Sequence, residues 1–151
     1  MKKRIAVLCL VVLALTLCAS MYAQMVKRPF HNGSVWTITF VRVKPGMDVA
    51  YMTYLSGLWK REQEALKKEG IVLSYKVIAT EGHTTADFNL MLMSEYKDLA
   101  TLEASDKKAD AMAQQMVGND LQQQQGYRER AEIREILGNR LAREIVLEPE
   151  K

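Results

Sequence analysis

Three runs, "SVWTITFVRV" (34–43), "IVLSYKVIAT" (71–80) and "DFNLMLMSEY" (87–96), are β-branched and aromatic, and in each the two alternating sets of side chains both carry apolar members. That double-sidedness is the strongest constraint in the chain. A half-solvated antiparallel strand alternates cleanly between apolar and polar, so strands that are greasy on both sides need cover on both sides.

The segments between them are helical in spacing. After "KPGMD", where Pro45 and Gly46 make a turn and Asp48 suits a helix N-cap, apolar residues recur at Met52, Leu55, Trp59 and Leu66. Gly70 fits a helix C-terminus. The loop 81–86, with Thr84, Thr85 and His83, reads as the turn of a hairpin. Helical spacing returns from Leu99 to Met116, breaks at Gly118-Asn119, and resumes from Leu121 to Leu137. Gly138-Asn139 reads as the end of that helix and "RLAREIVLE" (140–148) as a fourth strand.

The order strand, helix, strand, strand, helical region, strand predicts an α+β, ferredoxin-like split βαβ fold: a four-stranded antiparallel sheet with helices on one face. The expected helix-covered set is Trp36, Ile38 and Phe40 with Leu73, Tyr75, Val77, Phe88, Leu90, Leu92, Leu141 and Ile145. The opposite set holds Thr39, Val41, Lys76, Ile78, Asn89, Met91, Met93, Glu144 and Val146. It is too apolar for water, and patches of that kind mark interfaces. A second copy of the chain, packed sheet to sheet, is the economical cover, with a Lys76–Glu144 pair expected inside it.

The chain begins with Met1-Lys2-Lys3-Arg4, an apolar run from Ile5 to Ala19, and small residues before Gln24. This is the layout of a secretory signal peptide over 1–23, cut after Ala23 or Ser20; an uncleaved anchor and a lipoprotein modified at Cys18 are the alternatives. The expected location is periplasmic or extracellular, with no stable membrane span after processing. Both cysteines, Cys9 and Cys18, leave with the segment, which removes disulfide and thiolate chemistry. Three basic residues leave too, so the 21 Lys and Arg fall to match the 18 Asp and Glu. The basic balance is therefore a targeting effect, and nucleic acid is not an expected partner. Residues 24–33 read as an irregular lead-in and 34–148 as one domain.

The run "VWTITFVRVKPGMDVAYMTYLSGLWKREQEALKKEGIVLSYKVI", the hairpin "DFNLMLMSEY" and the closing "REILGNRLAREIVL" resemble the dimeric α/β-barrel superfamily, which includes the antibiotic-biosynthesis monooxygenases, the stress-responsive barrel proteins and the NIPSNAP-like proteins. The resemblance spans 35–147 and rests on element order and on the strand–Pro-Gly–helix opening. It implies a homodimer whose two sheets form one barrel, with a pocket inside the barrel or between sheet and helices.

Catalytic signals are sparse. No glycine-rich phosphate loop, nucleophile elbow or histidine cluster occurs, so no cofactor and no metal is expected. His31 and His83 read as loop residues. Lys76, Asn89, Glu144 and Thr39 are the candidate polar end of a ligand cavity, and Trp59 its aromatic wall. Two functions fit: an exported homodimer that binds a small apolar ligand or a partner, and a cofactor-independent monooxygenase-like enzyme acting on an aromatic substrate in the barrel.

Overall fold

The structure, a computed structural model, describes residues 28–149 except 83. The signal-peptide reading, its cleavage sites and the hairpin-loop histidine lie outside the described residues. Two compact units divide the chain, Asn32–Val146 and a smaller one formed by the two ends. Within the smaller unit, the Glu148 backbone N–H donates to the Pro29 carbonyl at 2.8 Å, and His31 Nδ1 meets a Glu148 carboxylate oxygen at 2.8 Å.

The elements run β1 (Phe30–Val43), α1 (Asp48–Tyr54), a π-helical turn (Leu55–Trp59), α2 (Lys60–Lys68), β2 (Ser74–Ala79), β3 (Leu90–Tyr96), α3 (Leu99–Met116), α4 (Asp120–Ile133) and β4 (Arg134–Leu147). The sheet order is β2-β3-β1-β4, and β3 pairs antiparallel with both β1 and β2. With two helical crossovers this is the ferredoxin-like α+β fold expected from the element order.

Several boundaries differ from the sequence reading. Residues 30–33, expected to be irregular, already belong to β1. Asp48 is the first helical residue and not the cap: Met47 stands at the N-cap, with no side-chain bond to the helix. β4 starts six residues earlier than expected, so Gly138-Asn139 lies inside a strand. Strand pairing outweighs that local turn signal: Lys44 N–H already donates to the Ile133 carbonyl at 3.0 Å, and Arg42 is ion-paired to Glu135. β2 and β3 each start three residues later than expected, while the Gly70 and Gly118-Asn119 signals hold. Gly70 sits at φ +71°, a left-handed conformation suited to glycine. Asn119 caps α4 in a capping box with Gln122, and Asp98 caps α3 through Thr101.

On β1 the two faces are the reverse of the expectation, while Leu90 and Leu92 of β3 face the helices as expected. Register pairs Val41 with Leu90, Thr39 with Leu92 and Thr37 with Ser94. Val41, Val43 and Leu90 form the buried core with Tyr51 and Leu55, against which Tyr54, Trp59, Leu92 and Ile133 pack. The odd-numbered residues of β1 therefore meet the helices. Trp36, Ile38 and Phe40, expected under the helices, lie on the opposite face, beside Glu95, Met93 and Met91. The cause is a change of phase between runs: the Asn89 N–H bonds the Val41 carbonyl, which aligns the even residues of β3 with the odd residues of β1.

Candidate functional site

The π turn sets the geometry of the first helix. Tyr51, Leu55, Trp59 and Gln63 recur every four residues, which drifts around an ordinary 3.6-residue helix. Widening Leu55–Trp59 to a π turn lengthens the local period, so all four stay on the sheet side. Tyr51 and Leu55 are core residues, and Gln63 accepts a hydrogen bond from the buried Ser94 hydroxyl at 2.8 Å. Trp59 stands edge-on to Tyr75, with ring centres 5.4 Å apart.

Beside this turn an open cleft of about 700 Å³ runs along β2. Its apolar wall is Val49, Met52, Leu55, Trp59, Tyr75 and Val77; Asp48 and Lys60 also line it. The hydroxyls within it are already engaged: Thr53 donates to the Val49 carbonyl, Ser56 to the Thr53 carbonyl, and the Tyr75 phenol to Glu64. That last bond is the main reason the Tyr75 phenol is held above its usual pKa.

The five residues singled out in the sequence do not form one site. Trp59 lines the cleft. Lys76 lies on the open face, its ammonium 5.2 Å from the centre of the Trp36 ring. Glu144 accepts from the Ser34 hydroxyl and crowds Gly33, where a Cβ would come within 2.6 Å of a Glu144 carboxylate oxygen. Within one chain Lys76 and Glu144 do not pair, because β2 and β4 are opposite edges of the sheet. Thr39 sits on the helix-covered face beside Leu92. Asn89 closes the end of β1 instead of facing a ligand: its carbonyl oxygen accepts from Val43 N–H at 2.9 Å, and its amide approaches the Val43 carbonyl at 3.4 Å.

A second cluster went unread in the sequence. Where α4 meets β4, the Arg130 guanidinium lies 4.8 Å from the Tyr54 ring centre and 5.9 Å from Tyr127. Arg134 lies 5.8 Å from Tyr51 and 5.7 Å from Tyr127. Burial pushes the Tyr51 phenol up to about 12, against the pull of Arg134, and raises Tyr54 as well. Burial also raises the Glu62 carboxyl, which Arg130 partly offsets. The only sequence signal was the i, i+3/i+4 spacing of Tyr127, Arg130 and Arg134, lost within a charge run that looks like a solvated face.

The open face carries Trp36, Ile38 and Phe40 from β1, Met91 and Met93 from β3, and Ile78 from β2. Alternation from Glu135 adds Leu137 and Leu141 from β4. Among the described residues no group of three His, Cys, Asp or Glu side chains could hold a metal ion, and no helix is long and apolar enough to cross a membrane.

No protein-family model matches the chain, and no curated protein does. Solved structures do. One is a dimeric protein of unknown function and ferredoxin-like fold from Bacteroides fragilis NCTC 9343, at 16% identity and TM-score 0.42, covering 76% of this chain and 97% of its own. Two are dimeric ferredoxin-like proteins from an uncultured marine organism. The first has 15% identity and TM-score 0.45, covering 80% of this chain and all of its own; the second has 6% identity and TM-score 0.49, covering 80% and 93%.

Proposed function

We propose that this protein is a homodimer that binds a small apolar, ring-containing molecule in the cleft against Trp59. The cleft carries the reading: its volume lies within the range of small-molecule sites, and aromatic and aliphatic side chains form its wall. Binding is favoured over catalysis because the Thr53, Ser56 and Tyr75 hydroxyls are spent on fixed partners, which leaves Asp48 and Lys60 as the ionisable groups beside an otherwise apolar wall.

The second copy belongs to the open face. Trp36, Phe40, Met91 and Leu137 form an apolar stripe, and the described helices make their contacts on the other side. A two-fold pairing suits such a surface, because each apolar stripe meets its own copy. Export belongs to the same proposal, supported by the basic, apolar and small-residue layout of residues 1–23.

Fluorescence titration of a Trp36→Phe background with naphthalene tests the ligand reading. Quenching of Trp59 that saturates, and that Val77→Arg abolishes, supports it; an unsaturable response refutes it. Sedimentation of the chain from residue 24 at micromolar concentration tests the assembly, where a monomer at every concentration removes the second copy.

A further inference from the structure

The arginine–tyrosine cluster is charged out of proportion to its surroundings. Arg134 is only 7% exposed, and no Asp or Glu of the described residues lies within ion-pair distance of it. Arg130 is half-buried close by, facing the same Tyr127 ring. Among the described residues, the Nε–H groups of both arginines are buried and have no hydrogen-bond acceptor.

Stacking on aromatic faces accounts for the orientation of the two guanidiniums, and Arg134 hydrogen-bonds the Tyr51 hydroxyl, but both Nε–H groups stay unfilled. Glu62 is near enough to feel the Arg130 charge but forms no ion pair with either arginine, so the two like charges, one of them buried, still call for a further anion. A guanidinium fork is shaped for the paired oxygens of a carboxylate or phosphate.

We propose that Arg130 and Arg134 form a receptor for a small oxyanion, a carboxylate or a phosphate, which supplies the acceptors their Nε–H groups lack. The ligand enters on the flank of Tyr127, which is 54% exposed, when Arg130 changes rotamer. Tyr51 and Tyr54 form the inner wall. This site uses none of the residues lining the Trp59 cleft apart from their shared helix, and it stands whether or not the cleft binds anything.

The test is a thermal-denaturation titration of the full chain with inorganic phosphate and, separately, with acetate, against sodium chloride at matched ionic strength. The expected result is a saturable rise in Tm with one or both oxyanions, accompanied by a tyrosine absorbance change, and weakened about tenfold or more by Arg130→Gln. The arms separate the sources: a response to acetate alone identifies a carboxylate, and a response to phosphate alone a phosphate. Arg134→Lys keeps the charge and removes the fork, so its loss of the response with a normal far-ultraviolet spectrum supports bidentate recognition. If that variant does not fold, the wild-type titration and Arg130→Gln decide. Equal shifts with chloride, or an undiminished response in Arg130→Gln, overturn the proposal and leave the cluster as an aromatic clamp.

Discussion

On its covered face β1 presents Val35, Thr37, Thr39, Val41 and Val43; on the open face the same strand presents Trp36, Ile38, Phe40 and Arg42. The covered set is the smaller and the more hydroxylated. The open set holds two of the largest apolar side chains in the strand. Cover by helices therefore does not follow from hydrophobicity alone. It follows from fit: Val41 and Leu90 leave room for Tyr51 and Leu55, which fill the space between sheet and helix.

Adjacent residues of β3 offer the sharpest way to break this comparison. Leu90 is 4% exposed in the core, and Met91 beside it points the other way. Leu90→Ala is expected to cost about 2–5 kcal/mol in denaturant unfolding at any protein concentration. Met91→Ala is expected to cost less than about 1 kcal/mol in dilute protein and to weaken self-association at higher concentration. Equal, concentration-independent costs would show that the open face is packed like a core.

The covered side also holds the phenol that resists ionisation. With Tyr51 pushed up to about 12 from an ordinary 10.0, the folded chain keeps a proton that the unfolded chain loses. Its contribution is fully present below pH 10 and is lost as pH rises toward 12, amounting to roughly 2–3 kcal/mol at 1.36 kcal/mol per unit. Tyr51→Phe should flatten that alkaline decline in a pH series of unfolding midpoints. The Glu62 carboxyl, also raised by burial, works in the same direction at lower pH: its contribution fades as pH climbs above the usual carboxylate range.

Asn89, at the point where β3 changes phase, comes next in size. It satisfies both the N–H and the carbonyl of Val43. Asn89→Ala leaves those groups without partners and is expected to cost about 1–3 kcal/mol. Quenching of Trp59 by naphthalene should be unchanged in this variant, which separates a bracing role from a ligand-binding one.

Element order was legible in the sequence because it rests on long periodic runs and on glycines with a conformational duty: Gly70 ends the first helical segment and Gly118-Asn119 separates α3 from α4. Face assignment was legible for β2 and β3, whose Tyr75, Val77, Leu90 and Leu92 do face the helices, but not for β1. A strand's two sides are told apart by register, and register here is fixed by a backbone bond from Asn89 to Val41, 48 positions away in sequence. β4 was misread at its start for a related reason: "REILGN" carries helical spacing, and only pairing with β1 makes it extended. Of the candidate site, Trp59 was legible as an aromatic on an amphipathic helix. The π turn that aims it was not, since nothing but a four-residue spacing marks it.

The smallest expected effect comes from the open face. Lys76 places its ammonium over the indole of Trp36, an exposed cation–π contact worth about 0.5–1 kcal/mol. As a lysine on the edge strand β2, it also discourages unwanted strand pairing. In an isolated chain Lys76→Ala should lower stability by no more than that figure. If two copies meet across Trp36, however, the ammonium loses water on association, and removing it should strengthen the dimer while weakening the monomer. Opposite signs in dilute and concentrated samples, read from unfolding and sedimentation on the same variant, would distinguish a buried indole from a wet one. A loss of the same sign and size in both would mean that Trp36 stays in water and that the second copy docks elsewhere.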